Sequence, residues 1–290
     1  MSRPVLLSVT LIVSLSSRPA HAEATSCLQF FPGGRAPTLT NPKLTQRTTL
    51  LCNDAFALLA SGVTHGPLWS AEHPTTASLE QASHTQREGT FHSDDRIPQA
   101  DQAQLEDYRK SGYDRGHMTP SGDMPGEQAQ QQSFSLANLV PQAAELNRGI
   151  WAHIESAVRK LAEQEGELYL ITGPAFRGDQ IKAIGPNGVL VPTSTWKAVY
   201  DPRIHGTGVY VCKNTDQPTC DIVSVTTLIR VAGIDPFPAL PDSLKQTVMA
   251  LPLPEQGRHL PRRGKLEQKP QATGLAAWLL GWLSWLLRTW

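Results

Sequence analysis

Tyr113-Asp114-Arg115-Gly116-His117-Met118-Thr119-Pro120-Ser121 places a carboxylate, a guanidinium and an imidazole around one glycine. The imidazole of His117 titrates near neutrality and can take a proton from water if its ring is held. Arg115 offers a planar fork of donors suited to a phosphate or carboxylate. Gly116 would let the backbone approach a ligand, and Asp114 reads as the residue that orients the turn. Downstream, Ile150, Ile154, Ala157, Val158 and Leu161 recur at helical spacing and predict an amphipathic helix over 147–164, with Gly166 as its stop. On it Asn147, Trp151, Glu155 and Arg159 follow at i, i+4, i+8 and i+12, drifting ~40° per step into one polar stripe. An amide oxygen at Asn147 suits Mg²⁺, which keeps most of its water and accepts one or two protein groups. Each residue also has a plainer reading: Asn147 as an N-cap, Glu155 with Arg159 as a surface ion pair, Trp151 as the edge of the core.

Working outward, a strand is expected near Trp69 and helices over 51–59 and 102–110. After the central helix, strands are expected over 167–172, 189–200, 208–212 and 222–231. Strands around one prominent helix predict an α+β fold. The expected division is a signal peptide at 1–22, an irregular arm at 23–66, a main domain at 67–255, a basic linker at 256–273 and an apolar tail helix at 274–290 carrying Trp278, Trp282, Trp285 and Trp290.

The 113–121 stretch resembles the signature of the DNA/RNA non-specific endonuclease family, the ββα-metal finger nucleases. So, in order and spacing, do Ser135-Leu136-Ala137-Asn138-Leu139-Val140-Pro141-Gln142 and Leu146-Asn147-Arg148-Gly149-Ile150-Trp151 with Glu155. Thr172-Gly173-Pro174 and Ala232-Gly233-Ile234-Asp235 are also similar to family features. The resemblance covers about Arg87 to Leu240 and implies a mainly antiparallel sheet flanked by helices. It implies a Mg²⁺- or Mn²⁺-dependent endonuclease for DNA or RNA that leaves 5′-phosphate ends. Position by position, it makes His117 the general base, Asn147 the direct metal ligand and Glu155 the acid holding water near the metal. Arg115 and Arg159 are then residues near the scissile phosphate, Asn138 a supporting asparagine and Arg87 an upstream arginine. The sequence departs from the pattern at Ala232, where Thr is frequent, and in its Trp-rich tail.

Composition bounds the rest. With 40% hydrophobic and 18% charged residues the chain is globular rather than disordered or collagen-like. Lys and Arg total 26 against 26 acidic residues, so any attraction for a polyanion must come from local clusters such as Arg109, Lys110 and Arg115, or Arg258, Arg262, Arg263 and Lys265. Arg3, the apolar run at 5–15 and Ala20-His21-Ala22 predict export with cleavage after Ala22. Four cysteines in an oxidising compartment are then expected to pair, and local spacing favours Cys27 with Cys52 and Cys212 with Cys220. Without a Cys-x-x-Cys pair, a zinc site is disfavoured. The expected location is secreted or periplasmic, with membrane association through 274–290; the alternative for that tail is packing on its own domain or, in a homodimer, on a second copy. Two other functions fit the sequence: a phosphodiesterase or phospholipase for a non-nucleic substrate, and a non-catalytic nucleic-acid-binding envelope protein.

Overall fold

The structure, a computed structural model, describes residues 27–253. Strands β1 (Thr48–Cys52), β2 (Phe56–Ser61) and β3 (Gly66–Glu72) run as successive hairpins, and helix α1 (Thr76–Ser83) follows them. A separate antiparallel pair follows, β4 (Asp114–His117) with β5 (Leu139–Gln142), in which His117 faces Leu139 and Gly116 faces Val140. Four more strands complete the large sheet: β6 (Tyr169–Ala175), β7 (Ser194–Asp201), β8 (Gly206–Lys213) and β9 (Cys220–Val223). Its seven strands lie in the order β9-β8-β7-β6-β3-β2-β1, each antiparallel to its neighbours. This is the expected α+β architecture, a large antiparallel sheet flanked by helices with a ββα finger.

Alternation along the strands explains why both faces are covered. On β7, Trp196, Ala198 and Tyr200 pack with Trp69 and Ile171 beneath helix α3 (Val225–Ala232), which contributes Val225 and Leu228. Val199, with Leu170 of β6, turns to the opposite face and meets Ile154, Val158 and Ala162 of helix α2 (Trp151–Glu165). Gly166, at φ 96°, ends α2. A π-helical turn at Leu146–Ile150 leads into it, so the helix begins one residue earlier than its periodicity indicates and in another register.

Two predicted elements differ. Residues 51–59 form the β1–β2 hairpin instead of a helix, because the Asn53 N–H donates to the Phe56 carbonyl at 2.8 Å and closes a turn. Leu51, Phe56, Leu58 and Ala60 then bury a single face at strand spacing. Those strands belong to the sheet, which sets residues 48–61 apart from an irregular arm. Residues 222–231 were expected as one long strand, yet the strand stops at Val223. Ser224 caps α3, its Oγ accepting the Thr227 N–H at 3.2 Å, and Gly233 in the left-handed region (φ 70°) closes it. The β-branched residues of this segment, Val223, Val225, Thr226, Thr227, Ile229 and Val231, suit a strand by composition and mask the helical period. The helix over 102–110 contracts to a single turn, Leu105–Tyr108.

The expected membrane association is corrected: among the described residues no helix is long and apolar enough to cross a membrane. The tail at 274–290, the linker at 256–273 and the processing segment at 1–22 lie outside the described residues.

Both disulfides pair as local spacing favours, Cys27 with Cys52 and Cys212 with Cys220. The first ties a fully buried Cys27 to β1 across a separation of 25 residues. Replacing both partners by serine is expected to lower stability in urea by about 3 kcal/mol through the freed loop entropy of the unfolded chain. A loss below about 1 kcal/mol would show instead that the packing of Phe30 and Phe31 already holds this segment.

Candidate active site

Between the outlet of the β4–β5 hairpin and the exposed flank of α2 lies an open cleft of ≈ 960 Å³. Six of the seven residues singled out from the sequence line it: Arg87, Arg115, His117, Asn147, Glu155 and Arg159. Asn138 does not. It is fully buried, its Nδ2 donating to the carbonyls of Thr119 and Ser133, both at 2.9 Å, while its Oδ1 accepts the Thr119 N–H at 3.1 Å. Asn138 therefore fixes the backbone that leaves His117, and its satisfied amide has nothing left for a ligand.

Hydrophobic rings hold the imidazole of His117. Phe134 meets it edge-on at 5.1 Å between centroids and Phe91 tilts against it at 5.9 Å. Its Nε2 is buried without a hydrogen-bond partner, and burial, with a smaller contribution from Arg87, pushes the pKa down to about 3. The ring is thus a neutral proton acceptor across the physiological range. The same two phenyl rings steady guanidinium groups, with Arg115 Cζ 4.3 Å from the Phe91 centroid and Arg87 Cζ 5.5 Å from that of Phe134. Gly116 is required by packing rather than by ligand approach, since a Cβ there would stand 2.1 Å from Oε1 of the buried Gln142.

Asp114 does more than orient a turn. Its carboxylate accepts from Asn147 Nδ2 at 3.0 Å and from Arg148 Nε and Nη2 at 2.7 and 2.5 Å, joining β4 to the start of α2. These donors hold its pKa below the usual carboxylate range, with the Arg148 hydrogen bond the largest favourable cause. Because a carboxylate only accepts, Asn147 must present its NH₂ to Asp114, which leaves Oδ1 as the free end of the amide. Among the described residues no group of three or more His, Cys, Asp or Glu could hold a metal ion. A hard cation would therefore rest on the single oxygen of Asn147, with water and a ligand supplying the other contacts, and the donor chemistry fits Mg²⁺ or Mn²⁺.

The polar stripe predicted along the helix is only partly realised. Trp151 is 1% exposed and belongs to the core. Gly149, at φ −105° and ψ −116°, breaks the turn after Asn147, so Asn147 stands off the register of Glu155 and Arg159.

Three charged residues given no site role in the sequence reading lie behind the cleft. Glu72 and Lys197, 2% and 1% exposed, approach within 3.7 Å on the sheet face that α2 covers. Thr172, between them on β6, accepts from Lys197 Nζ at 2.7 Å. Asp123, on the turn after β4, pairs with Arg159. Burial pushes Glu155 up to about 7 and Glu72 up to about 8; Asp123 adds to both shifts while Lys197 and Arg159 oppose them. The sequence does carry a signal here, a Glu and a Lys at inward positions of central strands, but two such letters far apart in the chain do not reveal that they meet.

The shifts of Glu72 and His117 are testable in the apo protein. A carboxyl whose folded pKa is raised favours folding below its unfolded value and loses that contribution as pH rises toward about 8. Glu72→Gln, which cannot ionise, should flatten the fall in Tm between pH 5 and 8.5 measured by calorimetry; an unaltered slope would mean that another group carries the effect. For His117, ring-proton NMR shifts are expected to stay constant from pH 5 to 8, and a titration midpoint near 6.5 would contradict the enclosed ring.

Comparison with known proteins is consistent with this geometry. A family model described as DNA/RNA non-specific endonuclease matches residues 35–243. "Nuclease 1, mitochondrial" of Schizosaccharomyces pombe is 38% identical over 148 residues, 47% of this chain and 46% of that protein. "Nuclease EXOG, mitochondrial" of Danio rerio is 35% identical over 195 residues, 60% of this chain and 56% of that protein. The chain thus spans about half the length of these curated relatives. A chain of the solved structure "Crystal structure of the EndoG/EndoGI complex: Mechanism of EndoG inhibition" superposes with a TM-score of 0.63 at 27% identity, over 69% of this chain and 89% of that one.

Proposed function

Because the chain belongs to the DNA/RNA non-specific endonuclease family, we propose that it is a metal-dependent, sequence-non-specific endonuclease that hydrolyses phosphodiester bonds of DNA, RNA or both. The observation that carries this reading is the meeting, in one cleft, of a neutral imidazole at His117 with the free amide oxygen of Asn147 and the guanidinium groups of Arg87, Arg115 and Arg159. Several relatives are themselves named nucleases, among them the proteins of Schizosaccharomyces pombe and Danio rerio.

Because Nε2 of His117 is enclosed, we assign Nδ1 as the nitrogen that meets the attacking water. It takes one proton as the water oxygen bonds to phosphorus, and the P–O3′ bond breaks, leaving a 5′-phosphate and a 3′-oxyanion that takes a proton from solvent water to become the 3′-hydroxyl. Arg115, Arg159 and Arg87 donate to the phosphate oxygens on which negative charge grows, and Glu155 orients water from the wall of α2. When bound at Asn147 Oδ1, Mg²⁺ or Mn²⁺ supplies Lewis-acid stabilisation of charge at the phosphate and departing oxygen. These groups address the backbone rather than base edges, which accounts for weak sequence preference.

The test is digestion of plasmid DNA and of RNA by the full chain in Mg²⁺ and in EDTA. Cleavage should require the metal, and His117→Ala and Asn147→Ala should each lose at least roughly a hundredfold in rate with an unchanged circular dichroism spectrum. A folded His117→Ala protein cutting at the wild-type rate would sink the mechanism.

A further inference from the structure

Arg159 is a long side chain rooted in the middle of α2, and its guanidinium can serve the cleft only if something fixes its direction. Two neighbours do so. The carboxylate of Asp123, 5% exposed, accepts from Arg159 Nε. Next to it Gly122 leaves the space through which the fork passes: a Cβ at 122 would stand 2.8 Å from Nη2 and 3.4 Å from Cζ. Both belong to the short turn Ser121–Asp123, which leaves the hairpin four residues after His117. That turn is itself pinned, with the Asp123 N–H donating to the Pro120 carbonyl at 3.1 Å and Thr119 Oγ1 sharing a 2.7 Å hydrogen bond with Ser70 Oγ of β3.

We propose that Gly122 and Asp123 form a seat that aims Arg159, so that the segment carrying the base also positions an arginine from the opposite wall. Asp123 holds the Nε edge, which leaves the Nη edge of the fork free to face the cleft. The two residues act through Arg159 and touch no substrate; they are positioning residues. The inference rests on the nuclease reading for its kinetic consequence, but not for its geometry.

Two substitutions probe the seat from different sides. Asp123→Asn keeps the shape of the buried side chain and removes its charge. Gly122→Ala adds a methyl group against the far end of a flexible side chain, so the fork can move while the fold stays intact. In the wild-type protein the Arg159 ¹⁵Nε–¹H NMR signal should be resolved and slow to exchange with solvent, and in both variants its exchange should speed up by roughly tenfold or more. In Mg²⁺ with a fluorescent DNA duplex, each variant should lose about tenfold in kcat with KM changed less than twofold. Neither should reduce the activity of Arg159→Ala any further, because their effect passes through that side chain. An unchanged Nε–H signal, or losses that multiply with Arg159→Ala, would overturn the seat. If the wild-type protein leaves DNA and RNA uncut, the nuclease reading fails, while the NMR comparison still decides the seat.

Discussion

The carboxylate of Asp114 ties together the two walls of the cleft. It stands on a short two-stranded hairpin, and its three hydrogen bonds reach Asn147 and Arg148 at the start of a helix from a later part of the chain. The bridge adds a side-chain link to the short covalent one, since β5, the partner of β4, runs into the start of α2 through residues 143–145. With it, the imidazole on one element and the amide on the other face a common space. Charge-assisted bonds suit this task because each is shorter and stronger than its neutral counterpart. The bridge also sets which end of the Asn147 amide is free, so one contact decides both the distance between two walls and the chemistry one of them offers.

Beneath this bridge the sheet gives up part of its apolar face. Ser70, Glu72, Thr172 and Lys197 occupy inward positions on three neighbouring central strands, where a fold built only for stability would place Val or Leu. Buried ions are costly, and their mutual attraction seldom exceeds the loss of hydration. Their position directly behind Glu155 and Arg159 gives that cost a use. Lys197 and Arg159 oppose the rise in the pKa of Glu155, and Asp123 pairs directly with Arg159. The remaining apolar residues of both faces still supply a full core, so the polar inset is carried by the rest of the sheet.

Aromatic enclosure solves a related problem at His117. An imidazole is commonly fixed by a hydrogen bond from one ring nitrogen to a carboxylate or a carbonyl. Here two phenylalanines restrain the ring, and those same faces steady Arg115 and Arg87. Exclusion of water from Nε2 both orients the imidazole and keeps it unprotonated. The ring's orientation and its neutral state thus follow from a single packing arrangement.

Much of this was legible along the chain. The 113–121 stretch, the 135–142 block and the periodic helix after Asn147 specify residue types and spacings that belong to one finger, and both disulfide pairings follow from local separation. Local signals failed where two structures share one composition. The run 222–231 is apolar enough for a strand, and only the Ser224 cap and the left-handed Gly233 make most of it a helix; residues 51–59 became a hairpin because Asn53 turns the backbone. The amino-acid sequence by itself determined which chemical groups the site contains, since those are covalent facts. Tertiary structure alone decided that Asn138 is internal, that Asp114 holds Asn147, and that Glu72, Lys197 and Asp123 stand behind the cleft. Burial and distance depend on partners far apart in sequence, and no local pattern encodes where the chain brings them together.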